Sequence, residues 1–458
     1  MANIAYELAI RFGTVVWLHS QSKKHHPDSP EGLMATERNT PLADLNLPDG
    51  RPIYWLHAVS MGEVGVAKVL VAELKTQAPD SLIVLSTSTA TGIEAAKKID
   101  GVDAVVAARF DIRDLVSTMF ASIKPTAIVL VEGDLWRNML AIARRRGVPV
   151  FIANAKMKVR SERFYQQFPL YARSLFSRIE RVYAQTELYR ERYERSGLPT
   201  DRCVVAGNVK LDVSAPAVST DELASIAKMA GISRDRAVGP ASSERTTRGA
   251  APIVTFGSLH PGEEIVALRG MQRVWRKHPN AHAIIAPRHI EKTALFADSI
   301  RHEFGIEPIV YSRREATPGA LPKSLDGQGS PRPSPSRVTI VDKMGMLMKL
   351  YALADVGVVG GTFVSGIGGH NVTEPAFYGK PVLYGPHVYT QLGLHDLITA
   401  YDAGQQVSAE AFPEALWAMV DDVDAAWRMG ANGLQMVEAS RGVAKRIVED
   451  ILVRTHAL

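Results

Sequence analysis

The chain has 458 residues, too many for one ordinary domain, and its 46% hydrophobic and 22% charged residues are those of a soluble protein with a sizeable core. A single cysteine, Cys203, excludes a disulfide framework and a cysteine-built zinc site and fits a reducing compartment. The formal charge of +5 points to anionic partners. With no aromatic-and-basic interleaving, zinc-finger spacing or helix-turn-helix signature, no nucleic acid is expected, and a phosphorylated lipid or membrane surface fits better.

The first apolar stretch, Asn3 to Ser20, is interrupted by Glu7 and Arg11, is short for a bilayer span, and carries a basic flank of His19, Lys23, Lys24, His25 and His26 at its end. It reads equally as an interfacial helix with a basic flank or as an ordinary amphipathic helix. Residues 21–50, rich in Pro, Asp and Ser, read as a loop. Ile53–Val59 is a strand, and the helix after it carries Val66, Leu70 and Leu74 on one face. Further strands are expected at Ser81–Ser86, Ala104–Ala107, Ala127–Val131, Val148–Ala153 and Val182–Ala184, each followed by helical sequence. That alternation predicts a doubly wound parallel sheet.

Residues 214–250 read as a linker with one helix, Asp221–Met229, and a polar run from Arg234 to Gly249. A second α/β unit opens at Pro252–Phe256 and continues through Ala283–Ala286, Val338–Val341, Val356–Val359 and a strand starting at Lys380. Within it, the proline-rich Arg313–Arg337 reads as an exposed insertion, and the tail from Pro413 to Val453 as helical. The expected organisation is 1–50 as a membrane-associating helix and loop, 51–213 as one Rossmann-like domain, 214–250 as linker and 251–458 as a second Rossmann-like domain. The fold class is α/β, two doubly wound domains facing across a cleft.

Ligands of open parallel sheets bind beyond the carboxyl ends of the strands. The polar residues there are Ser60, Gly62, Glu63, Thr87, Thr91, Glu132, Asp134, Asn154, Lys156, Asn208 and Lys210 in the first half. In the second they are Ser258, His260, Glu263, Glu264, Arg288, His289, Asp342 and Gly345. Glu63 reads either as a general base or as a helix-start glutamate favoured by the dipole. Arg288 and His289 suit phosphate or are a plain surface pair. The stretch Gly360–Pro375 holds five glycines, then Asn371 as a candidate N-cap and Glu374 at the third helical position. It reads as a phosphate-binding strand-to-helix turn or as a glycine-rich turn alone.

Eight segments together resemble the Kdo (3-deoxy-D-manno-octulosonic acid) transferase family, in that family's order. They are Trp55–Val64, Leu85–Gly92, Asp134–Asn138, Gly207–Asp212, Ser258–Glu264, Pro287–His289, Asp342–Gly345 and Gly368–Pro375. The resemblance implies the two-domain glycosyltransferase B fold, inverting and metal-independent transfer of Kdo from CMP-Kdo to a lipid A precursor (lipid IVA), no cofactor, and the cytoplasmic face of the bacterial inner membrane. By match, Glu63 would be the catalytic base, and Ser60, Gly62, Asp134 and Lys210 would line the acceptor side. Ser258, His260, Arg288, His289, Gly345, Gly369, His370, Asn371 and Glu374 would hold CMP-Kdo. The chain departs from the family's pattern at Asp134 (usually glutamate), Arg137 (proline), Lys156 (arginine) and Met346 (acidic). The alternatives are a relative using another nucleotide sugar or acceptor, and a catalytically silent CMP-binding homologue.

Overall fold

The computed structural model describes residues 2–212, 215–232, 251–316 and 337–456. Most of the expected linker and of the proline-rich insertion lies outside the described residues. Two compact units are formed, one from Met1–Val213 with Ser440–Leu458 and the other from Ser214–Ala439.

The first unit is built on seven parallel strands: β1 (Ile53–His57), β2 (Leu82–Thr87), β3 (Ala104–Ala107), β4 (Ala127–Val131), β5 (Val150–Ala155), β6 (Arg181–Ala184) and β7 (Cys203–Val205). Their order across the sheet is β3-β2-β1-β4-β5-β6-β7. Every residue of β1, β2, β4 and β5 is buried, as the near-continuous apolar runs require of strands covered by helices on both faces. The second unit repeats the plan with β8 (Ile253–Leu259), β9 (His282–Pro287), β10 (Ile309–Val310), β11 (Val338–Ile340), β12 (Val356–Val359), β13 (Val382–Tyr384) and β14 (Gly404–Gln406). Their order is β10-β11-β9-β8-β12-β13-β14. The sequence reading had none of β7, β10 and β14. With two or three residues each, at or near a sheet edge, they are too short to stand out from their flanks.

In both sheets the winding direction reverses beside the first strand, between β1 and β4 and between β8 and β12. At such a switch point the two following loops diverge and leave a crevice at the strand ends. The loops after β1 and β4, and after β8 and β12, are therefore where ligands are expected.

Two expectations are corrected. Residues 30–38 are a helix (Pro30–Arg38), not loop: Ser29 Oγ accepts from the Gly32 N–H at 3.2 Å, Pro30 opens the first turn, and Met34, Ala35 and Arg38 are buried. The second domain also does not run to 458. The helix Val443–His456 places Val443, Ala444, Ile447, Val448 and Ile451 in the first unit's core beside Leu70 and Leu74. Their i, i+4 spacing forms one apolar stripe, and each full aliphatic burial contributes about 2 kcal/mol. Tyr183 adds a hydrogen bond to Asp450 at 2.8 Å.

Candidate functional site

After β1 the chain turns at Ser60 into the helix Met61–Gln77. Ser60 is the N-cap, but its side chain caps no backbone N–H; its Oγ donates to Glu63 Oε1 at 3.3 Å. Glu63, in the first turn, reaches back so that Oε2 accepts the Val59 N–H at 2.7 Å, a capping box turned one residue outward. Burial raises the Glu63 carboxyl to about 7; the Val59 N–H opposes that, while the negative charges of Glu132 and Asp134 add to it. A half-buried carboxyl titrating near neutrality is suited to accept a proton. Gly62 is exposed beside it, and an added Cβ there would meet only the Ser60 hydroxyl, at 3.9 Å.

Beyond β4, Glu132 and Gly133 take positive φ angles of 62° and 114° and turn the chain sharply into Asp134. An added Cβ on Gly133 would lie 2.4 Å from the Tyr193 hydroxyl, so glycine alone fits. Asp134 is exposed, yet its carboxyl is raised by the protein packed around it; Lys158 and Lys156 oppose the shift and Glu132 adds to it. Lys210, read from the sequence as an acceptor-side group, is paired with Glu132 at 3.1 Å, and Lys156 is paired with the same carboxylate. Glu132 stood among the strand-end carboxylates, but nothing in the sequence separates it from Asp134; only the fold shows which of the two meets the lysines.

In the second unit Ser258 holds a φ of 56° where β8 slips register against β9. His260 follows, and its Nε2 lies 2.9 Å from His370 Nε2 with the two rings stacked, so one hydrogen is shared between them. His289 stands edge-on to His260 at 5.7 Å. Burial lowers both stacked imidazoles, His370 to about 4, and the neighbouring histidines and Arg288 push the same way. The pair is therefore neutral at pH 7. No carboxylate pairs with Arg288 in any described ion pair, whereas His289 has Glu291 at 3.3 Å. Neutral imidazoles after β8 and β12, at the switch point, with an arginine from the end of the neighbouring β9, suit an anionic ligand such as a phosphate.

The glycine-rich stretch is built differently from its sequence reading. No α-helix starts at Asn371; a 3-10 turn, Pro375–Tyr378, follows and stops at Gly379, φ 62°. Asn371 Oδ1 instead accepts from Thr373, 3.1 Å from its N and 2.6 Å from its Oγ1. The N–H groups at the front of the stretch are filled as well. Glu263, 1% exposed, accepts from the backbone N–H groups of His260 (2.8 Å), Gly361 (2.7 Å) and Phe363 (2.9 Å). The carboxylate occupies the nest an anion was expected to occupy. What the glycines supply is room: an added Cβ on Gly361 would lie 2.8 Å from the His370 ring. Gly369 donates to the Gly361 carbonyl at 2.9 Å, and Gly345 (φ 79°) sits in an open turn. Glu374 lies just before the 3-10 turn and exerts a charge effect on buried Tyr351. The structure thus groups His260, His289 and His370 beside Arg288, while Asn371 spends its side chain locally.

The sequence model of the 3-deoxy-D-manno-octulosonic-acid transferase (kdotransferase) family matches residues 31–213. Proteins named 3-deoxy-D-manno-octulosonic acid transferase are similar over most of the chain. That of Haemophilus influenzae is 27% identical, covering 86% of this chain and 85% of its own. That of Bordetella pertussis is 27% identical, covering 85% and 84%. Among solved structures, UDP-GlcNAc 2-epimerase from Neisseria meningitidis superposes with a TM-score of 0.58 at 13% identity, covering 88% of this chain and all of its own. At that identity the likeness shows the fold alone.

Proposed function

From the premise that this chain belongs to the Kdo transferase family and is a glycosyltransferase, we propose that it moves Kdo from CMP-Kdo to a lipid A precursor, lipid IVA, with inversion. The observation that carries this reading is the Glu63 carboxyl, raised to about 7 and held at the switch point of the first sheet. In the proposed reaction Glu63 takes the proton of an acceptor hydroxyl. The hydroxyl oxygen bonds to the anomeric carbon as the bond from that carbon to the CMP phosphate oxygen breaks, and CMP departs with the electron pair. The His260–His370 pair and Arg288 receive the phosphate charge. No metal is assigned a role in this reading, and Glu132 is paired with two ammonium groups.

The proposed location is a membrane surface. In the helix Ala2–Lys24 the residues Leu8, Phe12, Val15 and Val16 form one exposed stripe at i, i+4, i+7 and i+8. Its other side is tied down by Tyr6 donating to Asp111 at 2.7 Å and by Trp17 edge-on to Phe110. Phe164, Phe168 and Leu170 are exposed in the same unit, near Arg160 and Arg163 in sequence. Among the described residues no helix is long and apolar enough to cross a membrane, so the proposal is contact with one face.

The test is transfer from CMP-Kdo, generated in situ, to lipid IVA, read by mass spectrometry. A product heavier by one or more Kdo units is expected. CMP binding with no product from lipid IVA refutes that acceptor, and no CMP binding refutes the donor.

A further inference from the structure

The reaction above gives Glu132 no step, yet this buried carboxylate pairs with two ammonium groups at once. It is 7% exposed. Oε1 receives Lys210 Nζ at 3.1 Å and Asn154 Nδ2 at 3.3 Å, and Oε2 pairs with Lys156 Nζ. Both Glu132 and Asn154 hold positive φ, 62° and 55°, conformations that non-glycine residues keep only where the surroundings fix them. The surroundings form a closed circuit. Asn154 Oδ1 accepts the Val209 N–H at 3.0 Å, and the Asn154 carbonyl accepts Gln185 Nε2 at 2.9 Å. Gln185 Oε1 accepts Asn208 Nδ2 at 3.3 Å, and Asn208 Oδ1 accepts the Lys210 N–H at 3.0 Å. The ends of β4, β5, β6 and β7 are thereby locked to one carboxylate.

The lysines differ from the carboxylate in exposure. Their side chains are 30% and 26% exposed, against 6% for that of Glu132. Within this trio two ammonium groups on one carboxylate leave one net positive charge, and of the three only the lysines reach solvent; Asp134, Glu63 and Lys158 are the charges around it. Both lysines also lower the Glu132 carboxyl against the effect of its burial, so it stays ionised and is no proton acceptor.

We propose that Glu132 is a positioning residue: it holds Lys156 and Lys210 side by side as a fixed cationic cradle that takes an anionic substituent of the acceptor sugar, a phosphate or a carboxylate, beside Glu63. This rests on the reading that the first unit takes the acceptor, so the test has an arm that needs no transfer at all.

In that arm the folded full chain is acetylated briefly with acetic anhydride and the modified lysines are quantified by mass spectrometry. Removing the carboxylate frees both amines from their ion pairs, so Lys156 and Lys210 should react roughly tenfold faster in Glu132→Gln than in wild type. Glu132→Asp should fall between them. In the second arm Glu132→Gln should raise the acceptor KM about 10- to 100-fold, with kcat within a few-fold and donor KM unchanged. Lipid IVA analogues lacking phosphate, and acceptors already carrying a Kdo carboxylate, tell which anion is held: the one that is bound should lose its advantage in the variant. The acid limb of kcat/KM should also move to lower pH, because the Glu132 charge no longer holds the Glu63 proton.

Unchanged labelling of both lysines in a variant with wild-type melting overturns the proposal, as does an equal fall through kcat and both KM values. If Glu132→Gln does not fold, Glu132→Asp decides: wild-type labelling together with wild-type acceptor KM overturns it. If wild type transfers no Kdo while the labelling behaves as expected, the clamp stands and the function reading fails.

Discussion

Glu63 and Glu263 hold the same station in the two sheets, at the start of the helix that follows the strand beside the switch point, yet they do opposite work. Glu63 accepts one backbone N–H and one hydroxyl. Glu263 accepts three backbone N–H groups and is 1% exposed. Burial raises both carboxyls, but at Glu263 every opposing influence is a fixed amide. The number of donors aimed at a carboxylate, not its place in the fold, separates a proton acceptor from a strut.

The largest expected effect breaks the first half of that comparison. Glu63→Gln should cost about 10²–10⁴-fold in kcat while CMP affinity by calorimetry and the melting temperature stay near wild type. Breaking the other half gives the reverse pattern. An amide at 263 turns hydrogen-bond donors toward N–H groups, and Glu263→Gln should lose about 1–3 kcal/mol of stability in urea unfolding, with CMP binding weakened as the loop loosens. Next, Arg288→Ala should raise the donor KM about tenfold and leave the acceptor KM alone; an effect on the acceptor instead would reassign the second unit's cluster.

The smallest effect sharpens the comparison. Catalysis needs ionised Glu63, so kcat/KM should fall as pH drops through about 7. Ser60→Ala removes a hydrogen bond to the ionised form and should move that limb upward by a few tenths of a pH unit. A limb near the ordinary carboxylate range in the wild type would remove Glu63 as the base.

Much of this was legible in the sequence because physics there is local. The apolar runs Ile53–His57 and Ala127–Val131 could only be covered strands, and the polar residues after them had to fall at the sheet's carboxyl edge. The failures have physical causes too. Asn371 and Glu374 carry the signature of a helix start, but the preceding positive-φ glycines, Gly366, Gly368 and Gly369, turn the loop back on Gly361, whose carbonyl accepts the Gly369 N–H and whose own N–H is held by Glu263, far away in sequence. Pro30–Arg38 was hidden by composition, since serine and proline mark a loop unless they fall at N-cap and N1. That Glu132 rather than Asp134 meets the lysines depends on a 62° φ angle, which no pattern of residue types records.

The helix Val443–His456 has a consequence for how the protein is made. The first unit's core lacks Val443, Ile447, Val448 and Ile451 until the ribosome has finished the whole of the second. A nascent chain must hold the Leu70 and Leu74 face uncovered throughout that interval, when hydrophobic surface most invites chaperones or mispairing. The second unit, contiguous along the chain, can close first, so the unit whose synthesis starts earlier of the two completes its folding later.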